Sequence, residues 1–233
     1  MSLYSAFERK MQKTRIGSYL LYKTKSLLFP SRRFQNSKQY WEKRYRSGGG
    51  SGSGSYNNLA VFKAEIINAF IKENDVKSVV ELGCGDGNQL QLFEFNTYIG
   101  YDVSDAVVEI CRGKFADDNT KEFYNISEFK TQSADLAMSL DVIYHLVEDD
   151  VFENYMNMLF DASSKFIVVY SSNFDDNNLN PLYKHVKHRK FTSWIETNKP
   201  DFKLIKYIPN KYPFDETHAD TTSLADFYIY EKK

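Results

Sequence analysis

The segment Glu81-Leu-Gly-Cys-Gly-Asp-Gly-Asn88 follows the apolar run SVVELG and leads into NQLQLFEF. Glycines at 83, 85 and 87 disfavour a regular helix or strand and permit a turn that brings backbone close to a ligand, where a Cβ would intrude. Such a turn at the carboxyl end of an early strand is where open α/β sheets bind ligands. The next apolar run, TYIGYDV (97–103), ends in Asp102, whose carboxylate can accept hydrogen bonds from two ribose hydroxyls. The dinucleotide fingerprint Gly-x-Gly-x-x-Gly fails, because Asn88 stands three positions after Gly85. Glu81, two residues before the first glycine, suits the cationic part of a ligand.

The rest of the chain places that turn in a sheet. Residues 58–73 carry helical periodicity. NQLQLFEF (88–95) reads as a short helix, and Ser104 caps another that runs to about Lys114. KEFYN (121–125) reads as a weak strand, and ADLAMSL (134–140) and KFIVVYS (165–171) as strong ones. Between the last two, acidic Glu148-Asp149-Asp150 opens a helix to about Phe160, where negative charge suits the helix dipole. Arg189–Asn198 reads as helix, and FKLIKYI and ADFYIYE close the chain as strands. Strand–helix alternation with a terminal strand pair predicts an α/β fold with a mostly parallel, doubly wound sheet.

Charge divides the chain more sharply than its net value of −1 suggests. Residues 1–46 hold 12 Lys/Arg against Glu8 and Glu42, while the remainder holds 18 Lys/Arg against 29 Asp/Glu. A basic helical arm (1–46) on an acidic body is predicted, with Pro30 ending a helix or starting a turn. The arm would pack on the body, lie on an anionic membrane surface or mediate self-association. No apolar run approaches the length of a membrane span, and the first residues lack a signal-peptide core. Cys84 and Cys111 are too few for a disulfide framework and lack metal-ligand spacing. A cytoplasmic protein, at most peripheral to the membrane, is the expectation. An acidic body without interleaved basic and aromatic residues disfavours a nucleic-acid partner.

VVELGCGDGNQL with YIGYDVS resembles motifs I and II of class I S-adenosylmethionine-dependent methyltransferases, and SLDVIYHLVEDDVFENYMNMLF resembles that family's fourth-strand motif and following helix. The resemblance covers about residues 56–175. It implies a Rossmann-like seven-stranded sheet whose last strand is antiparallel, with S-adenosylmethionine as cofactor and S-adenosylhomocysteine as product. Carried over by motif, Glu81, Gly83, Cys84, Gly85, Gly87 and Asn88 would shape the methionine side of the cofactor site. Asp102 would hold the ribose, Val103 would lie by the adenine, and Asp141 and Val142 would line the cofactor near its methyl.

The ends add a narrower resemblance. YWEKRYRSGGGSGSGSYNNLAVFKAEI and HVKHRKF…KYPFD…SLADFYIYEK are similar to a group of bacterial methyltransferases found with capsular and other surface-polysaccharide biosynthesis. This favours a native loop at 47–55 over a flexible linker. The loop would fold over the cofactor, with Gly52, Gly54 and Ser55 near the methionine carboxylate. The chain departs from the group at residue 50, which is Gly where the group has Asn. The group implies a small acceptor bearing phosphate or phosphoramidate, or linked to a nucleotide.

Methyl transfer from a sulfonium is an in-line displacement, so alignment dominates, and a base is needed only for a protonated acceptor. His145, three residues after Val142, is a candidate base at the pocket mouth, or else orders its loop. His185, His188 and Arg189 with Lys190 form a candidate positive cluster for gripping phosphate, or else a solvated face. Metal binding by the two histidines lacks a third ligand. Tyr170, Ser171 and Asn173 leave the fifth strand towards the expected acceptor side. Tyr40, Trp41 and Tyr45 would close a lid or pack between helices. A nicotinamide-dependent sugar oxidoreductase or epimerase and a non-catalytic binding module are the competing classes.

Overall fold

The computed structural model describes residues 34–130, 133–175 and 184–233. Helix α1 (Ser37–Arg46) and α2 (Asn57–Glu73) precede β1 (Ser78–Leu82), β2 (Thr97–Asp102), α3 (Asp105–Lys114), β3 (Lys121–Asn125) and β4 (Ala134–Leu140). Then follow α4 (Asp149–Asp161), β5 (Ser163–Ser171), α5 (Phe191–Asn198), β6 (Phe202–Ile208) and β7 (Asp226–Lys232). The seven strands form one sheet in the order β3-β2-β1-β4-β5-β7-β6. β1 to β5 are parallel, and β7 runs antiparallel to both β5 and β6.

Strand alternation supplies one core on each face. Val79, Met138, Phe166, Val168 and Tyr170 pack beneath α2 and α3, against Phe62, Ile67, Phe70 and Val108. Val80, Ala137, Ile167 and Val169 face the other way, onto Tyr155, Met156 and Leu159 of α4 and Phe191 and Ile195 of α5. The chain order reverses between β1 and β4, which lie side by side, so the carboxyl ends of these strands open onto the crevice where such sheets take ligands.

Two expected elements differ in extent. NQLQLFEF forms only a 3₁₀ turn, Gln89–Leu92, because Phe93 turns extended. The segment before α5 is non-helical to Lys190, whose amide is taken by the Asp175 carboxylate. Of the basic arm, α1 is described; Pro30 and the proposed membrane-facing stretch lie outside the described residues. Among the described residues no helix is long and apolar enough to cross a membrane.

Candidate active site

The glycine turn forms as the sequence requires, with φ of 85°, 58° and 68° at Gly83, Gly85 and Gly87. At Gly85 the left-handed backbone is compounded by space: a Cβ would stand 2.3 Å from Ser51 Oγ. Asp102, at the end of β2, closes the turn by accepting the Gly85 amide at 3.1 Å and the Ser104 amide at 3.0 Å. Burial pushes its carboxyl up to about 6, against the pull of those amides. Glu81 is buried in β1 and accepts from Tyr98 Oη at 2.6 Å. Its burial outweighs Tyr98 and Lys63 and lifts it to about 7.

The 47–55 segment is docked on this turn. Ser51 donates its amide to Asp86 Oδ2 at 2.9 Å, and the Asp86 amide returns a bond to Ser51 Oγ at 2.8 Å. Tyr56 Oη donates to Asp86 Oδ2 at 2.5 Å, and Asn88 Nδ2 to the Ser55 carbonyl at 2.7 Å. Gly50 lies against Tyr56 and Asp86, where a Cβ would stand 2.6 Å from Tyr56 Oη, so a larger residue would need a rearranged loop.

Helix α1 completes the roof. Ser37 donates its amide to Glu148 Oε1 at 2.9 Å, and its hydroxyl lies within reach of Glu148 Oε2 and the His145 carbonyl. Farther along, Glu42 accepts from Ser104 Oγ at 2.5 Å, and Tyr45 Oη meets Ser51 Oγ at 3.1 Å.

Two cavities lie under this roof. The first, of about 390 Å³, is lined by Ser55, Glu81, Gly83, Cys84, Gly85, Asp102, Val103, Asp141 and Val142, with Lys63 and Gln89. The second, of about 320 Å³, is lined by Tyr40, Arg44, Gly52, Gly54, Tyr144, Ser172, His185, His188 and Phe214. Trp41, Ser51, Asp141 and His145 line both and so form the junction. Gly87 and Asn88 line neither; they shape the turn from behind.

Histidine chemistry at the junction is set by the backbone. His145 Nδ1 lies 3.0 Å from the His185 carbonyl, which can only accept, so Nδ1 carries the proton and Nε2 keeps its lone pair. Burial lowers His145 to about 4, and burial with the nearby Arg44 lowers His185 to about 4, so both rings are neutral at pH 7. The His185 ring stacks between Tyr40 at 4.3 Å and His145 at 5.6 Å.

The expected positive cluster is therefore not assembled. Arg189 lines neither cavity; its guanidinium donates to the Leu146 carbonyl, to the Val147 carbonyl at 3.0 Å and to Asp149 Oδ1 at 2.7 Å, over the Phe152 ring. In the non-helical 184–190 segment neighbouring side chains diverge: His185 and His188 face the second cavity, while Arg189 braces the start of α4. Lys190 is exposed, and Tyr170, Ser171 and Asn173 line neither cavity. Tyr170 Oη accepts from Asn210 Nδ2 at 2.6 Å, and Asn173 pairs with Thr192. Arg44 supplies the second cavity's cation instead; its Nε donates to the Gly50 carbonyl at 2.6 Å, and its Nη groups have no acceptor among the described residues.

No sequence motif singles out Lys63. It is 1% exposed in α2, and its Nζ donates to Asp141 Oδ2 at 2.7 Å. The readable signal was its place between Leu59 and Ile67, at four-residue spacing on the buried face of an apolar helix. Gln89 Oε1 is the buried side-chain polar atom without a partner among the described residues.

Known proteins share this fold. The family model described as a methyltransferase domain matches residues 57–212. The S-adenosylhomocysteine complex of the N-methyltransferase NodS from Bradyrhizobium japonicum WM9 aligns with a TM-score of 0.65 at 13% identity, over 85% of this chain and 99% of that one. Magnesium protoporphyrin IX methyltransferase from Synechocystis PCC 6803, with bound S-adenosylmethionine, aligns with a TM-score of 0.60 at 12% identity, over 86% and 99%. A tRNA (carboxymethyluridine(34)-5-O)-methyltransferase of Arabidopsis thaliana is 23% identical over 137 residues, 57% of this chain. The chain spans about a third of that relative's length, 34%.

The chain belongs to the methyltransferase domain family, and its fold is that of the class I, S-adenosylmethionine-dependent enzymes. Its residues fit that cofactor: a buried acid ends β2, a second buried acid underlies the glycine turn, and Gln89 offers an acceptor still lacking a donor. The antiparallel β7 inserted between β5 and β6 separates this sheet from the all-parallel dinucleotide type.

Proposed function

We propose that this protein transfers a methyl group from S-adenosylmethionine to an oxygen of a small anionic acceptor, a phosphate, phosphoramidate or nucleotide-linked sugar, in capsular or other surface-polysaccharide biosynthesis. The observation that carries the reading is the pair of abutting cavities with His145 and Asp141 at their junction. When bound, the cofactor supplies an electrophilic methyl on a sulfonium. Asp102 would accept the ribose hydroxyls, with Val103 beside the adenine. Glu81, Gln89 and the Gly83–Gly85 turn would hold the methionine end. Gly52, Gly54 and Ser55 would close over it.

The second cavity suits the acceptor. Arg44 would bind its anionic group, and Tyr40, Trp41 and Tyr144 would flank its body. His145 Nε2 would take the proton of an acceptor hydroxyl, its tautomer fixed by His185. An acceptor that is already an oxyanion needs no base. The polysaccharide setting rests on the similarity of the two ends of the chain to enzymes of that pathway class. The basic arm would bring the enzyme to the cytoplasmic membrane surface.

Calorimetric titration with S-adenosylhomocysteine, alongside NAD⁺, tests the cofactor; binding of the first and silence with the second are expected. Release of S-adenosylhomocysteine is then followed with phosphorylated sugars, phosphoramidates and their uncharged analogues. Arg44→Ala should raise KM for the anionic acceptors. Equal turnover of the uncharged analogues would overturn the anionic reading. Unchanged sedimentation with anionic liposomes would remove the membrane role of the arm.

A further inference from the structure

Beside the cavity junction, the buried Lys63 of the first cavity's wall has no part in the roles assigned so far. Its ammonium meets Asp141 Oδ2 at 2.7 Å and lies 5.2 Å from the centre of the Tyr170 ring. Asp141 is held from three other directions. Its backbone sits at φ 61°, a left-handed conformation that is unfavourable for a non-glycine residue and is kept where surroundings enforce it. Tyr144 Oη donates to Oδ1 at 2.8 Å. Gly54 approaches so closely that a Cβ would stand 2.5 Å from Oδ2. Four elements thus fix one carboxylate at the place where the two cavities meet.

A lone carboxylate there would be a disadvantage to methyl transfer. The reaction discharges a sulfonium: the bond from sulfur to methyl breaks with its electron pair left on sulfur, while the acceptor oxygen bonds the methyl. A fixed negative charge beside the sulfonium would stabilise the ground state more than the transition state, and so raise the barrier. A counter-charge paired with the carboxylate offsets that penalty and leaves the carboxylate as a hydrogen-bond acceptor.

We infer that Lys63 is a positioning and charge-compensating residue. Paired with Asp141, it keeps the junction electrically neutral towards the sulfonium while Asp141 orients the Tyr144 hydroxyl over the acceptor cavity. This inference rests on the cofactor reading above.

The test compares S-adenosylmethionine, which carries the sulfonium, with S-adenosylhomocysteine, which does not, by calorimetric titration at pH 8.5. In Lys63→Met the exposed carboxylate should increase the preference for S-adenosylmethionine over S-adenosylhomocysteine by roughly tenfold or more. Asp141→Asn leaves the lysine uncompensated and should shift the preference in the opposite direction. The double variant Lys63→Met/Asp141→Asn should return it to the wild-type ratio. Should Lys63→Met fail to fold, Asp141→Asn and the double variant carry the test. Equal weakening of both ligands in the single variants, with the ratio unchanged, would mean a purely structural pair and overturn the inference. Failure of the wild-type protein to bind either ligand would instead remove the cofactor reading, and the ground for this one with it.

Discussion

The His145 ring donates its Nδ1 proton to the His185 carbonyl at 3.0 Å, so one backbone oxygen decides which nitrogen of the junction histidine is basic. Burial holds the same ring at about 4, which keeps it unprotonated across the physiological range.

For a hydroxyl acceptor, His145→Asn should lower kcat by roughly 10²–10⁴-fold. S-adenosylhomocysteine binding should stay within about twofold of wild type, as the substitution leaves the glycine turn intact. The wild-type kcat, measured at saturating cofactor, should hold its plateau down towards pH 5. An ordinary histidine base would instead lose half its activity near pH 6.5. A rate–pH profile distinguishes the two.

Glu81 gives cofactor binding its own pH dependence. Its carboxyl titrates at about 7 in the free protein, and a cationic ligand favours the ionised form. Binding of S-adenosylmethionine near pH 7 should therefore release a fraction of a proton, and affinity should rise from pH 6 to pH 8 and then level. Titrations in two buffers of different ionisation enthalpy measure that release. Glu81→Gln should remove the part of the release and of the slope centred near pH 7, leaving the smaller part that Asp102 contributes near pH 6.

Asp102→Ala removes a buried acceptor that also closes the turn through the Gly85 amide. Loss of a charged hydrogen-bond partner is worth about 1.5–3 kcal/mol, so cofactor affinity should fall by roughly 10–100-fold. Gly85→Ala should do at least as much harm, because the new methyl would displace Ser51 and with it the loop. Wild-type affinity in Asp102→Ala would sink the site assignment.

Arg189→Ala should reveal a stability role. The side chain satisfies the carbonyls of Leu146 and Val147 and pairs with Asp149, so its removal should cost about 1–3 kcal/mol. Thermal unfolding should shift down by several degrees while KM for the acceptor stays near wild type.

The sheet was legible because its strands are long apolar runs with turn residues between them, and Ser104 announced α3 by capping it, accepting the Val107 amide. The glycine turn and Asp102 were legible because the backbone there tolerates little else. The second cavity was harder to read. His185, His188 and Arg189 are close in sequence, yet in a non-helical segment closeness does not bring side chains to one place, and Arg189 turns towards Asp149. Lys63 resembles any surface lysine of a helix until its four-residue neighbours are checked for burial. Arg44 sits in a run of basic residues, and only the fold distinguishes it from Lys43 and Arg46.

The family-matched span, 57–212, contains the glycine turn and Asp102, the proposed floor of the cofactor site. Much of the second cavity's wall lies outside it: Tyr40, Trp41 and Arg44 precede it, and Phe214 with Thr222 to Ala225 follow it. On the proposed assignment, most donor contacts lie within the matched span, whereas the surroundings of the acceptor are shared between that span and its flanks. On the proposed reading, exchanging the flank after the matched span between relatives should retarget the enzyme while leaving the 47–55 loop and its donor contacts in place, and randomising Phe214 and residues 222–225 would explore acceptor scope more efficiently than mutating the shared centre.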